Sequence, residues 1–173
     1  MNFKVNTVDK EFIRKTVDLY ADTVLRVAFH YTRNRTDAED IMQEVFLALI
    51  KQPQFSEQEH IKAWLIRVAI NKGKDFLKSS KRKTAELLDV YSYNFEQEES
   101  EILQRVKMLP PFDRNLIYLY YFENYSVGEI AKILKTKEGT VYVRLKRARY
   151  KLKDILEEEG ANYNEVKQMS IDF

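Results

Sequence analysis

Apolar residues recur at helical spacing along most of the chain, and very little in it can interrupt a helix. Val24, Val27, Ala28 and Tyr31 fall at i, i+3, i+4 and i+7, which lines one face of a helix. Only four glycines and three prolines stand among 173 residues, while Leu, Ile, Lys and Glu are abundant, so helix is favoured over strand. Three stretches, Thr36–Glu39, Ser56–Glu59 and Ser126–Glu129, have the capping-box pattern, in which a hydroxyl and a carboxylate each satisfy a free backbone N–H. The first is expected to open a helix with Ile41, Val45, Ala48 and Leu49 inward, ended by Pro53. The second is expected to open a helix through Ile61, Trp64, Leu65 and Val68. That helix continues, with or without a kink near Gly73, into a basic stretch ending at Lys83.

The pattern restarts near Ser100. Ile102, Val106 and Leu109 form a short stripe stopped by Pro110 and Pro111, and Asp113 is the expected cap of the next helix, with Leu116, Ile117, Leu119 and Tyr120 buried. The Ser126 box opens a short helix with Ile130, Ile133 and Leu134 inward. After a tight break comes the longest helix, with Val141, Leu145, Ala148, Leu152 and Ile155 on one face. Residues 84–100 lose periodicity and read as a linker. The expected class is all-α, with helical domains at 1–83 and 101–158, an acidic linker between them, and a polar tail at 159–173.

Several kinds of chemistry are excluded early. The chain has no cysteine, so it has no thiolate nucleophile, disulfide or Cys-ligated zinc. Its two histidines, His30 and His60, are far apart, and no metal or other cofactor is expected. None of the glycines lies in a phosphate-cradling pattern. An enzyme is therefore the weakest functional class. The longest apolar runs, Val45–Ile50 and Leu116–Phe122, fall far short of the roughly 18 to 20 residues that cross a bilayer. The N-terminus lacks an apolar signal core, so the expected location is cytoplasmic, with no membrane insertion.

The net charge of +2 conceals strong blocks. Residues 62–83 hold eight basic residues against Asp75 alone, a net +7, and residues 135–153 hold eight against Glu138 alone, again +7. Residues 84–104 hold six acidic residues and no Lys or Arg, and residues 37–59 sum to −5. One basic block can be a solvated helix face. Two equal blocks on distinct helices point to two polyanion-facing surfaces. A short helix followed by a longer basic one is also the helix-turn-helix arrangement, whose second helix enters the major groove of DNA.

The phrases Tyr125-Ser-Val-Gly-Glu-Ile-Ala-Lys-Ile-Leu134, Glu138-Gly-Thr-Val141 and Arg144-Leu-Lys-Arg-Ala-Arg149 resemble region 4 of bacterial RNA polymerase sigma factors of the extracytoplasmic-function (ECF) type. Asp37-Ala-Glu-Asp-Ile-Met-Gln-Glu-Val-Phe46 and Trp64-Leu-Ile-Arg-Val-Ala-Ile-Asn71 resemble region 2 of the same family. The resemblance covers about residues 16–156, with both modules in order. It implies a non-enzymatic factor that binds core RNA polymerase and directs it to promoters. Region 4 would read the −35 element as duplex, and region 2 the −10 element, partly as single strand. An anti-sigma factor is a further implied partner.

The implied core-polymerase contacts are Asp40, Gln43, Glu44 and Phe46, with Phe46 expected to be exposed. The implied −10 set is Phe55, Arg67, Asn71, Lys72, Lys74, Lys78, Lys81 and Arg82, with Phe55, Asn71 and the Gln52–Glu59 loop forming a pocket for a flipped base. Trp64 reads as core more readily than as a base platform. The −35 set is Lys137, Glu138, Thr140, Tyr142, Val143, Arg144, Arg147, Arg149 and Lys151. Arg144 has the side chain suited to guanine, and Arg147, Arg149 and Lys151 suit phosphates. The chain departs from the family pattern at Lys135, where glycine is usual, and at Lys137, where a capping serine is usual and Thr136 is the alternative cap. Tyr142-Val143 also replaces the common Lys-Ser. An ordinary helix-turn-helix regulator is the main rival reading, and a helical protein-binding module the next. Neither explains the match over the first half.

Overall fold

The computed structural model describes residues 10–51, 58–83 and 105–158, and every regular element among them is helical. The chain divides into two compact units, Met1–Tyr93 and Asn94–Phe173. The Pro53 stop, the Ser56 box, Ile102, the 84–100 linker and the 159–173 tail lie outside the described residues.

The first unit packs three helices, α1 (Lys10–Thr32), α2 (Arg35–Lys51) and α3 (Gln58–Lys83). The α1 stripe is buried as its spacing predicts, with Val24, Val27 and Ala28 fully enclosed. Thr36 does not cap α2. Asn34 does, its Oδ1 accepting the Asp37 amide at 2.8 Å and its carbonyl the Ala38 amide at 3.2 Å. Arg33 turns the chain just before it, at φ 59°. Glu39 instead pairs with Arg35 one turn away. On α2, Ile41, Val45 and Leu49 are buried and Ala48 only half so, because Phe46 takes the remaining core position.

Helix α3 runs unbroken through Gly73. A Cβ at Gly73 would lie 2.3 Å from Tyr31 Cδ2 and 2.5 Å from its Cγ. The glycine is there so that α3 can press against the Tyr31 ring of α1, and the helix continues past it to Lys83. Ile61, Leu65, Ile66, Ala69 and Ile70 complete the core, while Trp64 and Val68 are half-buried at its edge.

The second unit comprises α4 (Pro111–Ile117), which passes into a wider π-helical turn (Tyr118–Phe122), then α5 (Val127–Leu134) and α6 (Glu138–Glu158). Val106 and Leu109 are buried as expected. The two prolines open α4, with Pro110 as N-cap and Pro111 in the first turn, where a missing N–H costs nothing. Asp113 is not the cap. Its carboxylate accepts Lys151 Nζ at 2.7 Å. The π turn shifts the register of the apolar face, so Tyr118 is buried beside Leu116, Ile117 and Leu119, and Tyr120 is half-buried.

The Ser126 capping box forms, with Ser126 Oγ accepting the Glu129 amide at 3.3 Å and Glu129 Oε2 accepting the Ser126 amide at 2.8 Å. The Ser126 hydroxyl, donating to Glu129 Oε2 at 2.6 Å, and then the Ser126 amide hold the Glu129 carboxyl below its ordinary range. Ile130, Ala131 and Ile133 are buried, and Leu134 half so. Along α6, Val141, Leu145, Ala148 and Leu152 are buried, followed by Leu156 rather than Ile155, which completes the i, i+4 spacing from Leu152.

The turn between α5 and α6 carries the strain that its sequence predicts. Lys135 lies in the left-handed region at φ 50°, ψ 50°. Its amide reaches the Lys132 carbonyl at 3.2 Å and the Thr136 amide reaches the Ala131 carbonyl at 2.9 Å, which is the Schellman pattern usually built on glycine. Lys137, not Thr136, occupies the N-cap position, its carbonyl accepting the Thr140 and Val141 amides. Replacing Lys135 by Gly removes the Cβ clash and is expected to stabilise the second unit by about 1 kcal/mol. Thermal unfolding should show this as a midpoint higher by about 4–8 °C.

Candidate nucleic-acid and protein interfaces

Helix α6 is held on the second unit by its buried stripe, and this sorts the expected −35 residues by face. Lys137, Thr140, Tyr142, Val143 and Arg147 are exposed. Glu138 is exposed too, but its carboxylate lies against α5, 3.0 Å from where a Cβ on Gly128 would stand. Arg144 folds over the Phe112 ring at 4.8 Å, and Lys151 pairs with Asp113, so both reach toward α4. Arg149 departs most from expectation. It is half-buried over Tyr120 at 5.1 Å and Tyr121 at 5.6 Å, with Nε fully enclosed. Burial raises the Tyr121 hydroxyl above its ordinary value, and Arg149 opposes that rise through its charge and a hydrogen bond. Arg149 therefore anchors α6 to the π turn and is not presented to phosphates.

Helix α3 separates its basic residues in the same way. Arg67, Asn71, Lys74 and Lys78 are spaced i, i+4, i+7 and i+11, and share the face turned away from the core. Asn71 and Lys78 are exposed, Arg67 and Lys74 partly so, and Lys78 also meets Asp75 at 3.1 Å. Half-buried Trp64 precedes them by one turn on that face, so it borders the surface and is not a core residue. Lys72 points the other way, toward α2, and its Nζ meets Glu44 Oε2 at 2.5 Å. Phe55 lies outside the described residues, as do the side chains of Lys81 and Arg82.

On α2 the exposed face holds Asp40, Gln43 and Glu44 as expected. Phe46 is not on it. The ring is 8 % exposed and belongs to the core. The apolar residues outside are instead Leu47, 56 % exposed, and Ile50, 52 % exposed. Leu47 falls i+3 and i+4 from Glu44 and Gln43, on the same outward face at its C-terminal end. The helical spacing from Asp40 contained this signal, which aromatic character at Phe46 obscured. Among the described residues no helix is long and apolar enough to cross a membrane, and no cluster of metal-binding side chains occurs.

These two units correspond to known modules. Residues 16–83 match the family model for sigma-70 region 2, and residues 99–152 that for sigma-70 region 4. The ECF RNA polymerase sigma factor SigW of Bacillus subtilis is 28 % identical over 171 residues, covering 87 % of this chain and 91 % of the relative. The RNA polymerase sigma factor SigV of the same organism is 30 % identical over 131 residues, covering 71 % and 78 %. Other relatives are longer, and the chain spans 58 % of the ECF sigma factor SigE of Mycolicibacterium smegmatis. The sigma factor RpoE of Bartonella quintana, crystallised with the anti-sigma factor NepR, has the same fold, with a TM-score of 0.69 at 22 % identity over 86 % of this chain and 98 % of that one. With both region models matched in order, SigV related along most of its length, and the ECF RNA polymerase sigma factor SigM of Mycobacterium tuberculosis 31 % identical over 76 % of this chain and 70 % of the relative, the chain belongs to the sigma-70 family of RNA polymerase sigma factors, in its extracytoplasmic-function branch.

Proposed function

We propose that this protein binds core RNA polymerase and directs it to promoters, with residues 1–83 acting as region 2 and residues 101–158 as region 4. The observation that carries the reading is the pairing of two family modules with two basic outward helix faces, one in each unit. The face of α2 bearing Asp40, Gln43, Glu44 and Leu47 meets the polymerase. The Arg67, Asn71, Lys74 and Lys78 face of α3, with Trp64 at its edge, meets the −10 strand, and Phe55 contacts the same strand. Helix α6 meets the −35 duplex. The protein acts in the cytoplasm on stress or envelope-response genes, catalyses no reaction itself, and is held in reserve by an anti-sigma factor. A helix-turn-helix regulator working without polymerase leaves the region 2 match and the apolar α2 face unexplained.

The proposal predicts salt-linked DNA binding by the holoenzyme. Replacing exposed Arg147 by Ala is expected to weaken binding to all promoter sequences alike and to lower the slope of log affinity against log salt by about 1. A loss confined to one base position would assign Arg147 to readout instead. For the anti-sigma partner, purification of the tagged protein from unstressed cells is expected to bring down one stoichiometric partner that stress releases. A free, constitutively active protein would remove that part of the proposal.

A further inference from the structure

The buried stripe of α6, Val141, Leu145, Ala148 and Leu152, determines which residues face farthest from the unit. At about 100° per residue, the opposite ridge passes through Gly139, Val143 and Tyr150, with Lys146 and Arg147 on its flanks. Arg144 is not on that ridge, since it lies beside the core stripe with its guanidinium over Phe112.

Two features of the ridge have no explanation inside the protein. Val143 is β-branched, gains little in a helix, and is 45 % exposed. Gly139 is a poor helix former in the first turn of α6, yet a Cβ there would meet no atom within 4 Å. No close neighbour requires the glycine, and its backbone is not left-handed. Both residues sit in the +7 segment of the chain, so the surface that approaches them is a polyanion. The ridge offers that polyanion an apolar side chain and a bare backbone at its leading end.

Resting on the reading of α6 as the helix that meets the −35 duplex, we propose that Val143 reads a thymine through its C5 methyl group, and that Gly139 leaves the space for the helix to come that close. The thymine methyl is the apolar mark on the major-groove edge of the base pairs. Specificity at this position thus comes from an apolar contact, and Arg144 is left to support the helix from its side.

The test uses the full chain bound to core polymerase. Duplexes randomised over the upstream element are selected, and each thymine of the selected element is then replaced by deoxyuridine, which lacks only the methyl. At one position the loss of the methyl should weaken binding about fourfold, the worth of one buried methyl-sized group. Val143→Ser should bind thymine and deoxyuridine equally there, with an unchanged thermal midpoint, and Val143→Ala should fall between. Gly139→Ala should raise the thermal midpoint yet weaken binding about tenfold or more, as expected of an added atom in a close-packed contact. Equal binding of thymine and deoxyuridine at every position would overturn the proposal, as would a full methyl effect in Val143→Ser or undiminished binding by Gly139→Ala. Selection of no sequence at all would bring down the sigma reading beneath it, an outcome separate from tolerance of deoxyuridine.

Discussion

Leu47→Asp is expected to weaken binding to core RNA polymerase about thirtyfold or more while leaving helical content and thermal midpoint as they are. Leu47 is 56 % exposed on the outward face that it shares with Asp40, Gln43 and Glu44, one turn beyond the last two, and it contributes little to the unit's own core. Surface substitutions of this kind usually change stability by no more than about 0.5 kcal/mol. An apolar anchor at an interface is worth about 2 kcal/mol, which is roughly thirtyfold in affinity. Ile50→Asp, at the edge of the same face, is expected to have a smaller effect. Phe46→Asp provides the contrast, since that ring is in the core and its loss should lower the thermal midpoint together with binding. The measurement is a titration of labelled core polymerase with each folded variant. Wild-type affinity in Leu47→Asp would move the polymerase contact away from α2.

Gly73→Ala is expected to destabilise the first unit by about 2–3 kcal/mol, although alanine is the better helix former by about 1 kcal/mol. The new Cβ would stand 2.3 Å from Tyr31 Cδ2 and 2.9 Å from Tyr31 Cβ. Tyr31 is 3 % exposed, so its ring has little room to swing aside, and α1 and α3 must separate. Because α3 also carries Arg67, Asn71, Lys74 and Lys78, the same change should weaken DNA binding by the holoenzyme. Chemical denaturation checks the stability loss. Combining Gly73→Ala with Tyr31→Ala should cost less than the two single losses added, as expected for residues in direct contact. Strict additivity would mean that the two do not touch.

Much of this architecture is legible in the residues. The i, i+3, i+4 stripes identified the core of α1 and α6, and the Ser126 box and the strained Lys135 turn were readable because each depends only on neighbours in the chain. The misreadings have more than one cause. Asn34 caps α2 because Arg33 takes a left-handed conformation, so the turn ends sooner than the pattern at Thr36 suggests. Asp113 is drawn to Lys151, far along the chain, and Arg149 to Tyr120 and Tyr121, and such pairings do not show in local spacing. Phe46 and Leu47 are adjacent, and a rotation of one residue decides which is outside. Charge counting found both basic helices. Only packing separates the basic side chains facing outward, such as Lys74 and Lys78, from Lys72, which Glu44 holds against α2.

The central claim is that this chain confers promoter choice on RNA polymerase, and transcription with purified core polymerase and genomic promoter fragments tests it most directly. Initiation at discrete sites only when the protein is added, lost with Leu47→Asp, is the predicted result. Tight DNA binding by the protein alone, with no initiation in the presence of core polymerase, would contradict it.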